Sequence, residues 1–125
     1  MPTLLLTALL MLAAPQALGE WRQYGSNSQG TVFYIDFASL RKNGDFRTVW
    51  ELQDFKAPVM SALSVRILME YDCTKKRNRA LSMSAFSGHM ATGKIIVTAP
   101  LEEDRWNSVR PNSVFANALL IVCVE

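Results

Sequence analysis

Polar and apolar residues alternate along residues 63–73, and this alternation is the clearest structural signal in the chain. Every second residue from Leu63 to Cys73 is apolar, whereas the positions between them are mostly polar or charged. A period of two residues is typical of a β-strand with one buried side and one wet side. The alternation resumes at Leu81 after a polar run over residues 74–79. Two amphipathic strands joined by about six polar residues predict a hairpin.

Similar patterns predict further strands over residues 20–25, 31–37, 46–53 and 94–99. Asn43 and Gly44 precede the third of these strands, and Asn-Gly is a strong hairpin signal. Pro58 is expected to end that strand, because proline cannot donate to a ladder. Within it, the row that begins at Phe46 is apolar, so the row that contains Arg47 and Glu51 is expected to face solvent.

The hydrophobic period changes after Pro111. Ser113 is a plausible helix N-cap, and the apolar residues that follow recur at helical spacing up to Val122. The end of this segment, residues 121–124, is also compatible with a strand. We favour a helix, so the fold class predicted is α+β: an antiparallel meander of five to six strands with a C-terminal helix packed on the sheet.

Residues 1–19 are expected to be a signal peptide. Residues 4–14 are almost entirely Leu, Ala and Met, a run of about 11 residues that is too short to span a bilayer. Ala17 and Gly19 supply the small side chains of a cleavage site before Glu20, although no Lys or Arg precedes the apolar run. A membrane anchor or a buried helix is the alternative. Residues 20–125 then form a single domain with no transmembrane segment.

Export determines how the two cysteines are interpreted. Two cysteines in an exported protein are far more often a disulfide than a metal site. Cys73 ends the core-facing row of a strand, and Cys123 ends the apolar C-terminal segment. We therefore predict a disulfide between Cys73 and Cys123.

Little in the sequence indicates catalysis. His89 is the single histidine and no nucleophile motif surrounds it, so we predict no metal site, no cofactor and no enzymatic activity. Paired carboxylates on the strands are the alternative, but such groups are usually solvated. The formal net charge of +2 is too small to indicate a nucleic-acid partner.

The basic run after Cys73 is the best candidate binding site. It consists of Lys75, Lys76, Arg77 and Arg79. Four cations on one turn are suited to sulfated glycans or acidic protein segments. In the alternative, the turn is merely solvated and its arginines pair with Glu70, Asp72 or the acidic residues 102–104.

Several blocks of the chain resemble the surface-adhesin protein E family of Gram-negative bacteria. The blocks are Trp21, Tyr34-Ile35-Asp36, Ser39-Leu40-Arg41, Val49-Trp50, Glu70-Tyr71-Asp72-Cys73, Lys76, Arg77, Arg79, Leu81-Ser82, Trp106, Val109, Pro111, Ser113, Leu119-Leu120 and Val122-Cys123.

The resemblance implies an antiparallel sheet with a disulfide-linked C-terminal helix, and an exported protein of the periplasm or cell surface. It also implies binding of extracellular-matrix or plasma proteins, with a homodimer as an open alternative for the assembly. The other functional hypothesis is a periplasmic structural or accessory protein that shares only the fold.

Overall fold

The computed structural model describes residues 20–101 and 105–124, which form one antiparallel sheet, one α-helix and a short 3-10 helix (His89–Ala91). Six strands lie side by side in chain order: β1 (Trp21–Ser26), β2 (Val32–Asn43), β3 (Phe46–Val59), β4 (Ala62–Asp72), β5 (Arg77–Phe86) and β6 (Ile95–Pro100). A two-residue strand, β7 (Asn107–Ser108), also pairs with β5, and the chain continues into the helix α1 (Val114–Cys123). The predicted α+β meander is confirmed. The expected signal peptide and the acidic residues 102–104 lie outside the described residues.

Two predicted strand ends are wrong. The strand predicted over residues 31–37 does not end at residue 37: β2 continues to Asn43, and its ladder with β3 is irregular between Asp36 and Arg41. There the Asp36 carboxylate accepts from the backbone N–H of Ala38 at 3.0 Å. Pro58 does not end β3, which continues to Val59; the ladder with β4 is irregular between Asp54 and Val59, so proline is tolerated there.

The helix packs on one face of the sheet and makes the core with it. Residues from three strands and from α1 form one buried cluster: Ile35, Val49, Met69, Tyr71, Ala118, Leu119 and Val122. Full burial of each large aliphatic side chain contributes roughly 1.5–3 kcal/mol relative to exposure. The apolar row predicted for β4 is therefore correct where it passes beneath the helix.

Local chemistry fixes where α1 begins. The side chain of Ser113 accepts from the backbone N–H of Ala116, as predicted for an N-cap. A Cβ added at Gly25 would lie 2.3 Å from Cγ2 of Val114, so only glycine lets β1 approach the helix this closely. The helix continues to Cys123, which excludes a strand over residues 121–123.

The face expected to be solvated on β3 is instead the face beneath the helix. Arg47, Val49 and Glu51 are all buried, with exposed fractions of 8%, 0% and 2%. Nε of Arg47 donates to the carbonyl of Val122 at 3.2 Å, so the guanidinium satisfies the last turn of α1. Side chains on the other face of β3 are also partly covered. There the guanidinium of Arg66 lies over the ring of Trp50, 4.3 Å from the ring centre.

Candidate functional site: the basic end of the sheet

Two turns lie next to each other at one end of the sheet. Phe46 pairs with Asn43 of β2 on one side and with Asp72 of β4 on the other. The backbone N–H of Cys73 donates to the carbonyl of Asp45 at 2.9 Å and ties the two turns together. The turn after β4 is therefore hydrogen-bonded to the turn between β2 and β3.

The turn that contains Lys75 and Lys76 is held by hydrogen bonds within the hairpin and by one from a later segment of the chain. Oδ1 of Asp72 accepts from the N–H groups of Thr74 and Lys75 at 3.2 and 3.1 Å. The carbonyl of Lys76 accepts from the N–H of Val109 at 3.0 Å. This bond places Val109 beside the turn, and the exposed Arg110 is the next residue along the chain. We call the exposed cations Lys75, Lys76 and Arg110 the basic end.

Asp72 is the anchor of this turn. Its carboxyl group is buried, and burial by itself would raise its pKa. The N–H of Lys75 and the guanidinium of Arg77 lower the pKa by more, so it lies below its ordinary value. Asp72 is therefore ionised at neutral pH, and its carboxylate holds two backbone N–H groups of the turn.

The structure separates the four cations predicted as one site. Arg77 and Arg79 are not in the turn but in β5, where each pairs with a carboxylate of β4. Nε of Arg77 lies 2.9 Å from Oδ2 of Asp72, and Nη2 of Arg79 lies 2.8 Å from Oε1 of Glu70. These two pairings are the ones that the alternative interpretation anticipated. Lys75 and Lys76 remain as the exposed members of the set.

Trp106 covers both arginines. Their guanidinium groups lie 4.5 Å (Arg77) and 4.3 Å (Arg79) from the centre of its ring, within the range of a cation–π contact. The ring of Phe46 lies 5.8 Å from the same ring. The arginines are thus part of a layer that fastens the segment around residue 106 to the outer face of the sheet.

The predicted disulfide between Cys73 and Cys123 is confirmed, with 5.7 Å between the two Cα atoms. It joins the turn after β4 to the last turn of α1. The turn that carries Lys75 and Lys76 is therefore attached covalently to the helix through the residue that precedes it.

The side chain of His89 contacts Asp54. Its Nδ1 lies 3.2 Å from a carboxylate oxygen of Asp54, which also accepts from the N–H of Met90 at 2.8 Å. This contact fastens the loop before β6 to β3. Among residues 20–101 and 105–124, no group of three or more His, Cys, Asp or Glu side chains could hold a metal ion.

Sequence reasoning missed a second cluster, centred on Glu51. The hydroxyl of Tyr24 donates to one carboxylate oxygen of Glu51, and the hydroxyl of Tyr71 donates to the other. Burial raises the pKa of Glu51 to about 7, although both phenol bonds act to lower it. The signal available in the sequence was Val49, an aliphatic residue two positions away on the row that had been assigned to solvent.

The chain was compared with models of known protein families. The family model described as surface-adhesin protein E matches residues 21–124, which is nearly the whole described chain. The chain belongs to the surface-adhesin protein E family. No curated protein matches it significantly.

Solved structures of the family share the fold. The structure of Haemophilus influenzae protein E has a TM-score of 0.63 and 16% identity, with 83% of each chain covered. Protein E from non-typeable Haemophilus influenzae has a TM-score of 0.56 and 17% identity, covering 90% of this chain and 82% of that one. At such identities the likeness shows the fold alone. No helix within the described ranges is long and apolar enough to cross a membrane.

Proposed function

We propose that this member of the surface-adhesin protein E family is an exported, non-enzymatic binding protein that uses its basic end to hold anionic ligands. The expected ligands are sulfated glycans or acidic segments of extracellular-matrix and plasma proteins. Family membership supports the adhesin class. The rigid presentation of Lys75 and Lys76 beside Arg110 supports the choice of surface.

The ion pairs of Arg77 and Arg79 reduce the number of cations available to a ligand. Arg77 and Arg79 are neutralised by Asp72 and Glu70, so they are expected to contribute little to ligand attraction. Lys75 and Lys76 are exposed and can approach a sulfate or a carboxylate without breaking an ion pair of the sheet. Binding that depends on such exposed charges weakens as salt rises, because charges are screened over about 8 Å at physiological ionic strength.

The test compares two double variants on an immobilised heparin column. Lys75→Ser with Lys76→Ser removes two charges from the basic end. Lys56→Ser with Lys94→Ser removes two exposed charges from the opposite end of the sheet. The two double variants therefore have the same net charge as each other. We expect the first variant to elute at clearly lower salt than the wild type, and the second to elute close to it.

Three results would count against the proposal. Equal losses in both variants would show attraction by net charge alone. Retention unaffected by Lys75→Ser with Lys76→Ser would place the ligand elsewhere. A wild-type protein that heparin does not retain, and that also binds no immobilised vitronectin or laminin, would favour the alternative of a periplasmic structural or accessory protein.

Export itself is tested separately. Cleavage before Glu20 predicts that the protein recovered outside the cytoplasm begins at Glu20. Intact mass spectrometry measures this directly, and a recovered form that still contains residues 1–19 would show that the segment is an anchor. Protease accessibility on whole cells then distinguishes the cell surface from the periplasm.

A further inference from the structure

A cleft lies between the loop that joins β1 to β2 and the last residues of β3. Its volume is about 650 Å³, within the range of sites that bind small molecules. Val32 at the start of β2 pairs with Asp54 near the end of β3, whereas the basic end adjoins the turn at the other ends of these strands. The cleft and the basic end therefore lie at opposite ends of the sheet.

One wall of the cleft is a bulge in β3. The ladder with β4 passes directly from the pair Asp54–Ser64 to the pair Val59–Ala62. The four residues 55–58 therefore lie opposite a single residue of β4. A bulge breaks the regular alternation of side chains, and bulges are common next to functional sites.

The other wall is the loop between β1 and β2, which is held by its own hydrogen bonds. Oδ1 of Asn27 accepts from the backbone N–H of Gln29 at 3.0 Å and from that of Thr31 at 3.1 Å. Gly30 has a φ of +82°, and a Cβ added there would lie 2.9 Å from Cδ of Lys56 on the opposite wall. Glycine at this position therefore lets the loop and the bulge approach closely.

The uncharged polar side chains of the lining are available to a ligand. They belong to Asn27, Gln29, Thr31 and Gln53. Thr31 is 8% exposed and Gln53 is half-buried. Within the described residues, the hydroxyl of Thr31 and the side-chain amides of Gln29 and Gln53 make no hydrogen bond. Each of these groups can both donate and accept.

Most of the remaining lining is apolar. The apolar members are Phe55, Ala57, Pro58 and Val59. Of the described residues that line the cleft, Lys56 alone is charged and none is acidic. A cationic ligand would find no carboxylate here, and a polyanion would find a single cation. The lining therefore favours an uncharged ligand that combines many hydroxyl groups with C–H surface.

We propose that this cleft binds a neutral oligosaccharide. Sugar hydroxyls donate and accept, so they match the amides of Gln29 and Gln53 and the hydroxyl of Thr31. The C–H face of a sugar ring packs against Phe55 and Pro58. An extended peptide is less suited, because peptides that add to a sheet bond to its backbone and proline has no N–H to donate. This site does not rest on the proposed binding of anions by the basic end.

An array of uncharged di- to tetrasaccharides of hexoses and N-acetylhexosamines, probed at 1 M salt, tests the proposal. At this ionic strength charges are screened over about 3 Å, so the basic end contributes little. We expect the protein to bind one or more of these glycans. The same glycan in solution is expected to shift the backbone amide NMR signals of Gln29, Thr31 and Phe55, and to leave those of Lys75 and Lys76 in place. An array without binding, or shifts confined to the basic end, would overturn the proposal.

Variants assign the binding to the cleft. Gln53→Ala removes a half-buried amide of the lining, and the lost hydrogen bonds to the sugar are expected to weaken binding of that glycan roughly 3- to 10-fold. Gln23→Ala is the matched control, because it removes an exposed amide of β1 outside the lining. We expect it to keep the wild-type affinity. Equal losses in the two variants, or no loss in Gln53→Ala, would refute the site.

A second variant keeps the test decisive if Gln53→Ala folds poorly. Ala57→Trp fills the cleft from an exposed position and leaves every polar group of the lining in place, so it is expected to abolish glycan binding with little change in melting temperature. Its elution from heparin should match the wild type, which separates failure of this site from failure of the proposed function. Full glycan binding by Ala57→Trp would overturn the proposal. So would a cleft that binds an extended peptide and no glycan.

Discussion

The guanidinium of Arg79 lies 4.3 Å from the centre of the Trp106 ring while its Nη2 lies 2.8 Å from the Glu70 carboxylate. One arginine of the basic run thus joins two segments that are distant in sequence. This relationship explains why half of the basic run belongs to the framework of the domain rather than to its exposed surface.

Loss of this arginine is expected to destabilise the protein. Arg79→Gln removes an ion pair and a cation–π contact, so we expect the free energy of unfolding to fall by about 1–2 kcal/mol. Lys75→Gln in the exposed turn should change it by about 0.5 kcal/mol or less. Urea denaturation measures both. Equal effects would mean that Arg79 is as dispensable as a solvated lysine.

The disulfide is expected to supply a large share of the stability. Cys73 and Cys123 are separated by 50 residues, and closing such a loop is worth about 4 kcal/mol in the chain-entropy model. Cys73→Ser and Cys123→Ser should therefore lower the melting temperature by similar amounts, with the double variant no worse than either. Scanning calorimetry tests this, and additive losses would show that each thiol packs separately.

The Glu51 cluster predicts an unusual pH dependence of global stability. Burial raises the folded-state pKa to about 7, above the ordinary value of 4.5. The stability that the buried Glu51 contributes is therefore fully present below pH 4.5 and is lost as pH rises toward 7. The free energy of unfolding falls by at most about 3 kcal/mol over this range. Urea denaturation between pH 4.5 and 8 measures it.

Tyr71→Phe sharpens this expectation. The Tyr71 phenol lowers the pKa of Glu51, so its removal leaves burial less opposed and the pKa should rise further. The decline in stability should still begin near pH 4.5 but should continue to a higher pH in this variant, even though its overall stability is lower. A decline that ends at a lower pH than in the wild type would contradict the assignment of burial as the dominant influence.

The stability that Asp72 contributes depends on pH in the opposite direction to that of Glu51. The pKa of its carboxyl is lowered in the folded state, because the N–H of Lys75 and the guanidinium of Arg77 outweigh burial. Its contribution is present above the ordinary aspartate pKa and is lost as pH falls through the lowered value. Asp72→Asn keeps an oxygen for the turn amides but loses the charge. We expect lower stability at pH 7 and a weaker loss on acidification, measured by denaturation between pH 2 and 7.

Sequence periodicity alone determined most of the architecture. Alternation over residues 63–73 predicted β4, the change of period after Pro111 predicted α1, and Ser113 was identified as its N-cap. The export context paired Cys73 with Cys123. These features are local, or depend on there being two cysteines in the chain, so they are legible without knowing which strand lies beside which.

Tertiary structure decided the features that depend on neighbours. Glu51 and Arg47 sit on a row that looks polar, and only the position of α1 shows that this row is buried. Tyr24 and Tyr71 reach Glu51 from strands far apart in sequence, and Trp106 reaches Arg79 in the same way. Partners of this kind are set by strand order and by the path of the chain over the sheet, which residue spacing does not encode.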